Sequence, residues 1–182
     1  MTHLLLILIL AFCIAVPAVW ALNWPAMNPL TQPMSAYLSD PPWAPVKYSW
    51  LTDVGFLCLA AACPILGFRW GGRLEIVLGV VAAIALFIVT ATKVMQATNP
   101  NATRDSRLET FHVYAAKIAF ISVAVMILAH TWHSGWVFWM IIGAIGFDLL
   151  YSIPAIGSPK FLTAVEERVT TAAYMVALFI LL

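Results

Sequence analysis

Three ionisable side chains, Asp53, Lys117 and Asp148, stand inside stretches of sequence that are otherwise apolar. Such a group is costly unless it pairs, lines a polar cavity or reaches water, so each is a functional candidate by default. Glu109 and His112 add a carboxylate and an imidazole at i, i+3, on one face of a helix. A histidine beside a carboxylate suits general acid–base work, and a desolvated carboxyl nearby can hold or release a proton. That chemistry fits isomerisation, cyclisation or hydrolysis of a lipid-soluble substrate. The same five residues, Asp53, Glu109, His112, Lys117 and Asp148, equally suit binding of a lipid headgroup without reaction. No nucleophile elbow, HExxH, Walker or paired-aspartate metal motif accompanies them.

A second polar group is made of histidines. His130 and His133 are i, i+3, and His3 begins the chain's first apolar run. Histidines at this spacing bind zinc or copper. Between Trp132 and Trp136 they also suit an interface, with one ring edge wet, and that reading needs no ion. A haem held between His112 and His130 is excluded, because 18 residues of helix put them about 27 Å apart. The sequence assigns no cofactor.

The elements that must position these groups are set by composition. Of 182 residues, 63% are hydrophobic and 9% charged. A soluble domain carries about a quarter charged residues, so lipid must be the solvent for most of this chain. A net charge of +1 gives no reason to expect nucleic acid. Crossing the hydrocarbon takes about 20 apolar residues as a helix. Six stretches qualify: His3–Leu22, Tyr48–Phe68, Leu74–Val94, Phe111–Thr131, Trp136–Ile153 and Phe161–Leu182. The expected fold is all-α, one polytopic transmembrane bundle with short loops. The first run lacks the Lys or Arg of a signal peptide's leading segment and reads as a retained helix. Cys13, Cys58 and Cys63 form no CxxC pair and read as small core or lipid-facing residues. Ala60–Ala62, Gly79, Ala82, Ala83, Gly143 and Gly146 read as points of close helix approach.

Six spans put the tight turns 69–73 and 132–135, with both termini, on one face (side A). The longer loops 23–47, 95–110 and 154–160 then share side B. Loop 23–47 holds six prolines, too many for a long helix. Trp20, Trp24, Trp43 and Trp50 fall near side B and Trp70, Trp132, Trp136 and Trp139 near side A, as interfacial belts. Lys47, Lys93, Arg104, Arg107, Lys160 and Arg168 flank side B, against Arg69 and Arg73 on side A. The positive-inside rule therefore favours side B in the cytoplasm. In depth, Asp53, Lys117 and Asp148 all lie roughly 7–10 Å beneath side B. Helices 4 and 5 are joined by a tight turn, so Lys117 and Asp148 can meet as an ion pair. The pair is either structural glue or the lining of a pocket; a third reading has Lys117 snorkelling alone.

Asn28-Pro29-Leu30 and Met34-Ser35-Ala36-Tyr37-Leu38-Ser39 lie between the first two helices. His112 with Tyr114-Ala115-Ala116 opens the fourth, and Glu166-Glu167-Arg168 the last. In these short motifs, spread over most of its length, the chain resembles a prokaryotic six-helix membrane family known mainly as a domain of unknown function. The resemblance implies six helices in a bacterial or archaeal cytoplasmic membrane, and no activity.

Two functional readings remain. One is a one-sided polar pocket at side B for a lipid-like or hydrophobic small molecule, with acid–base catalysis as its sharper form. The other is an accessory subunit of a larger membrane complex, its ionisable groups structural. An ion path across the whole thickness is disfavoured by helix centres nearly free of polar residues.

Overall fold

The computed structural model describes residues 2–23, 48–97, 106–132, 135–151 and 160–182; at Ser49, 93–97, Ser106, Glu109, 148–151 and 160–167 it describes the backbone alone. These residues form six helices and no strand: α1 Thr2–Leu22, α2 Ser49–Trp70, α3 Arg73–Ala97, α4 Ser106–Thr131, α5 Trp136–Tyr151 and α6 Lys160–Ile180. Four of them, α1 to α4, are long and apolar enough to cross a membrane. α5 has 16 residues, about 24 Å of helix, and the described apolar part of α6 runs from Arg168 to Ile180.

The helices pack as successive neighbours, α1 on α2, α2 on α3 and α3 on α4, with α5 against α6. The α4–α5 packing is slighter than that of any of these pairs. The core runs from Leu5, Ile9 and Phe12 in α1 through Leu66, Leu86, Met126 and Ile127 to Ile141 and Leu178. Phe12 packs on Phe56 with ring centroids 5.7 Å apart.

The turn between α2 and α3 is shorter than the sequence suggests. α2 continues through Arg69 and Trp70, and Gly71 ends it in the left-handed region (φ 79°), its N–H bonding the Gly67 carbonyl at 3.1 Å. A residue without Cβ closes a helix this way at least cost. Two residues then suffice to reverse the chain, and α2 and α3 come into backbone contact. A methyl group on Gly67 would stand 2.5 Å from the Glu75 carbonyl oxygen, and one on Gly79 2.5 Å from that of Cys63. Gly79 is therefore a point of close approach, as expected. Gly143 and Gly146 in α5 have nothing within 4 Å among the described residues. The three cysteines are free thiols, Cys63 buried and the others half-buried.

Both ends of the bundle are tied. At side A, Arg69 Nη2 donates to the Leu182 carbonyl at 2.6 Å. At side B, the Arg168 guanidinium lies 5.0 Å from the Trp20 ring centroid. α6 thus touches α1 at its side B end, and Leu182 just beyond it touches α2 at side A.

Candidate functional site

Helix register places the polar residues in depth. α2 meets α1 where Gly55 faces Ala15 and Val16, and meets α3 where Gly79 faces Cys63 and Pro64. Antiparallel stepping from these contacts sets Thr52 level with Ala18 and Val19 of α1 and with Thr90 of α3. Thr92 bonds His112, which sets Thr90 level with Tyr114 of α4. In α6, Thr170 is two residues, about 3 Å, below Arg168 and so close to the level of Ala18. Thr52, Thr90 and Thr170 therefore share one layer a little inside side B.

Buried polarity follows the same asymmetry. Among the described residues, Asn23, Thr52, Thr90, Thr92, Thr170 and Thr171 are buried on the side B half, Ser122 near the middle and Thr131 at side A. Most of these groups are satisfied locally. Asn23 Nδ2 donates to the Val19 carbonyl at 2.7 Å, and Thr90 Oγ1 to that of Phe87 at 2.8 Å. Thr52 and Thr170 differ. They are 2% and 7% exposed, and neither hydroxyl has a hydrogen-bond partner among the described residues. Burying a hydroxyl with no partner costs about 1–3 kcal/mol, so two in one layer require a reason.

His112 is held by a specific contact. Thr92 Oγ1 lies 2.8 Å from the Ile88 carbonyl, 3.0 Å from that of Val89 and 3.0 Å from His112 Nδ1. The hydroxyl has a single proton, which goes to the backbone, so it accepts from Nδ1–H. This orientation of His112 by α3 could not be foreseen from the i, i+3 spacing with Glu109.

The expected site residues fare differently. Asp53 and His112 are half-buried at side B, in the helices expected to carry them. Lys117 requires a correction: it is exposed, on the outer face of α4, and among the described residues no charged side chain is buried. The expectation of buried charges inside the spans fails there, since the helix turns Lys117 outward between Ala115 and Ala119, which are buried. The side chains of Glu109 and Asp148 lie outside the described residues, so a Lys117–Asp148 pair and a Glu109–His112 pair do too. The buried threonines were missed, because threonine bonding its own helix carbonyl is ordinary in a membrane span and only three-dimensional level singles out Thr52 and Thr170.

At side A, His130 stacks on Trp70, with ring centroids 4.1 Å apart and planes 5° from parallel. Glu75 is near enough for its charge to act on the imidazole. No three His, Cys, Asp or Glu among the described residues could hold a metal ion, and His133 is outside them. His3 is exposed at the start of α1. The stack makes a structural prediction: His130→Ala is expected to cost about 1 kcal/mol, read as a lower unfolding temperature in detergent, with His130→Phe restoring most of it.

Family models, curated proteins and solved structures were each compared with this chain, and none matches.

Proposed function

We propose that this chain is a six-span membrane protein whose side B end holds the polar head of a lipid-like or hydrophobic small molecule. The observation that carries this reading is the layer of buried threonines in which the Thr52 and Thr170 hydroxyls lack a partner among the described residues. A ligand hydroxyl, carbonyl or phosphate seated there would complete them, while its apolar part ran along the bundle. His112, oriented by Thr92, stands two residues, about 3 Å, nearer side B and is the group that would exchange a proton with the bound head. Asp53 is the carboxylate at the same end. That α6 reaches both ends of the bundle supports six spans although α5 and α6 are short.

The test is purification in mild detergent, organic extraction and mass spectrometry of what is retained. A single amphiphile at near-stoichiometric amount, lost in His112→Ala with the protein still folded, supports the reading. Only bulk lipid in both proteins would refute it.

A second reading, an accessory subunit, is favoured by α5, where Trp139, Ile142 and Gly143 are exposed and Gly143 and Gly146 leave the backbone open to a close neighbour. It predicts that the chain leaves the native membrane in a larger particle. Gly143→Ile would then shed the partner without unfolding the chain.

A further inference from the structure

We propose that the outer face of α4 near side B is a docking surface for the headgroup of an anionic phospholipid, centred on Lys117 and Tyr114. This surface is separate from the interior threonine layer.

At 100° per residue, Arg107, Thr110, Tyr114, Lys117 and Ile121 fall within a sector about 80° wide, so they form one stripe along the helix. All five are exposed. Lys117 is level with Phe87 of α3, itself 61% exposed, and with Ala15 of α1. It therefore sits seven residues, about 10 Å, inside the side B end of α1. A lysine extends about 6 Å, so its ammonium reaches toward the headgroup region while the methylenes lie on apolar surface. Tyr114 places a phenol one turn nearer that region, and Arg107 adds a second cation two turns beyond it. In the other direction the stripe turns apolar: Ile118, Ile121 and Val125 are all exposed and run toward side A.

The order is cation, hydroxyl, cation, then aliphatic surface, and it matches a molecule with an anionic head and hydrocarbon tails. A lone lysine facing hydrocarbon is unfavourable, and a phosphate at its tip offsets this without burying a second charge in protein. A partner helix offering a carboxylate would have to place that carboxylate about as deep, desolvating both members of the pair. Lipid is therefore the favoured occupant.

The experiment reconstitutes the chain into phosphatidylcholine vesicles containing spin-labelled phosphatidylglycerol or spin-labelled phosphatidylcholine. The immobilised fraction of each label is then compared. The wild type is expected to prefer phosphatidylglycerol. Lys117→Gln should lower that preference about fivefold, Tyr114→Phe less, and Lys117→Arg should restore it. Ile14→Ala, on the exposed face of α1, should leave it unchanged, which shows that the preference belongs to this face of α4. Equal immobilisation of both labels by the wild type would overturn the proposal. So would a Lys117→Gln protein that keeps the full preference, or one that loses a partner chain present in the wild-type particle.

Discussion

Gly79→Ala is expected to lower the stability of the bundle by about 2 kcal/mol, and Gly67→Ala to do the same. The physical cause is backbone, not side chain. At Gly79 the added methyl meets the Cys63 carbonyl at 2.5 Å and the Pro64 Cα at 3.2 Å; at Gly67 it meets the Glu75 carbonyl and the Ile76 Cα. Neither neighbour is the end of a flexible side chain, so relief requires α2 and α3 to move apart. Separation opens the packing of Cys63, Leu66, Ala82 and Leu86 at the centre of the core. The gain in helix propensity from glycine to alanine, about 0.8–1 kcal/mol in water, offsets only part of this. The two sites lie on the same contact, so the double variant should fall short of the sum of the singles, since one displacement relieves both. Gly143→Ala is the control: with nothing within 4 Å among the described residues it should leave the unfolding temperature unchanged or raised. Thermal unfolding followed by tryptophan fluorescence in one detergent would read all four. A Gly79→Ala protein as stable as the wild type would show that the helices do not approach as described.

The second large effect is a reversal of sign. Valine nearly matches threonine in shape but has no hydroxyl to satisfy. In protein stripped of lipid, Thr52→Val and Thr170→Val should each stabilise the fold by about 1 kcal/mol, because an unpartnered buried hydroxyl is removed. If the proposed amphiphile is bound, the same substitutions should weaken its retention about tenfold each, because a hydrogen bond to the head is lost. The two measurements together discriminate. Stabilisation in both states would mean that the hydroxyls serve no ligand, and destabilisation in both would mean that they have protein partners. Thr90→Val makes the comparison internal. Its hydroxyl sits in the same layer but bonds the Phe87 carbonyl, so neither effect is expected.

The helices were legible in the sequence, and the reason is solvent. Hydrocarbon leaves no choice of backbone conformation, so a run such as Leu74–Val94 can be read without knowing its neighbours. The ends were less legible. α4 begins at Ser106 rather than Phe111, because hydropathy detects the apolar part of a helix, not the polar turn with Ser106, Arg107, Glu109 and Thr110 that precedes it. The facing of side chains was illegible, and Lys117 is the case in point. A single lysine in an apolar run reads as buried when depth is the only coordinate, whereas rotation about the helix axis decides whether it faces protein or lipid. α4 is apolar nearly all round, with Phe111, Ile118, Ile121 and Val125 exposed and Ala119, Val123, Met126 and Ile127 buried, so no amphipathic pattern marks the inward side. Side B as the polar end was legible, because charges and prolines gather there. The threonine layer was not, since level across four helices depends on register, which only contacts such as Gly55 on Ala15 establish.

The packing of α1 on α2, α2 on α3 and α3 on α4 has a consequence for how the molecule is made. Each of these helices finds its partner in the one synthesised just before it, so α1 to α4 can assemble pairwise as they leave the ribosome. The two-residue link at Gly71 and Gly72 makes α2 and α3 the natural unit of insertion. α6 is different: it and Leu182 beyond it are tied to Trp20 of α1 and Arg69 of α2, segments more than a hundred residues away in sequence. Those two clasps can form only after synthesis has passed Arg168 and Leu182, and they turn a row of helices into a closed body.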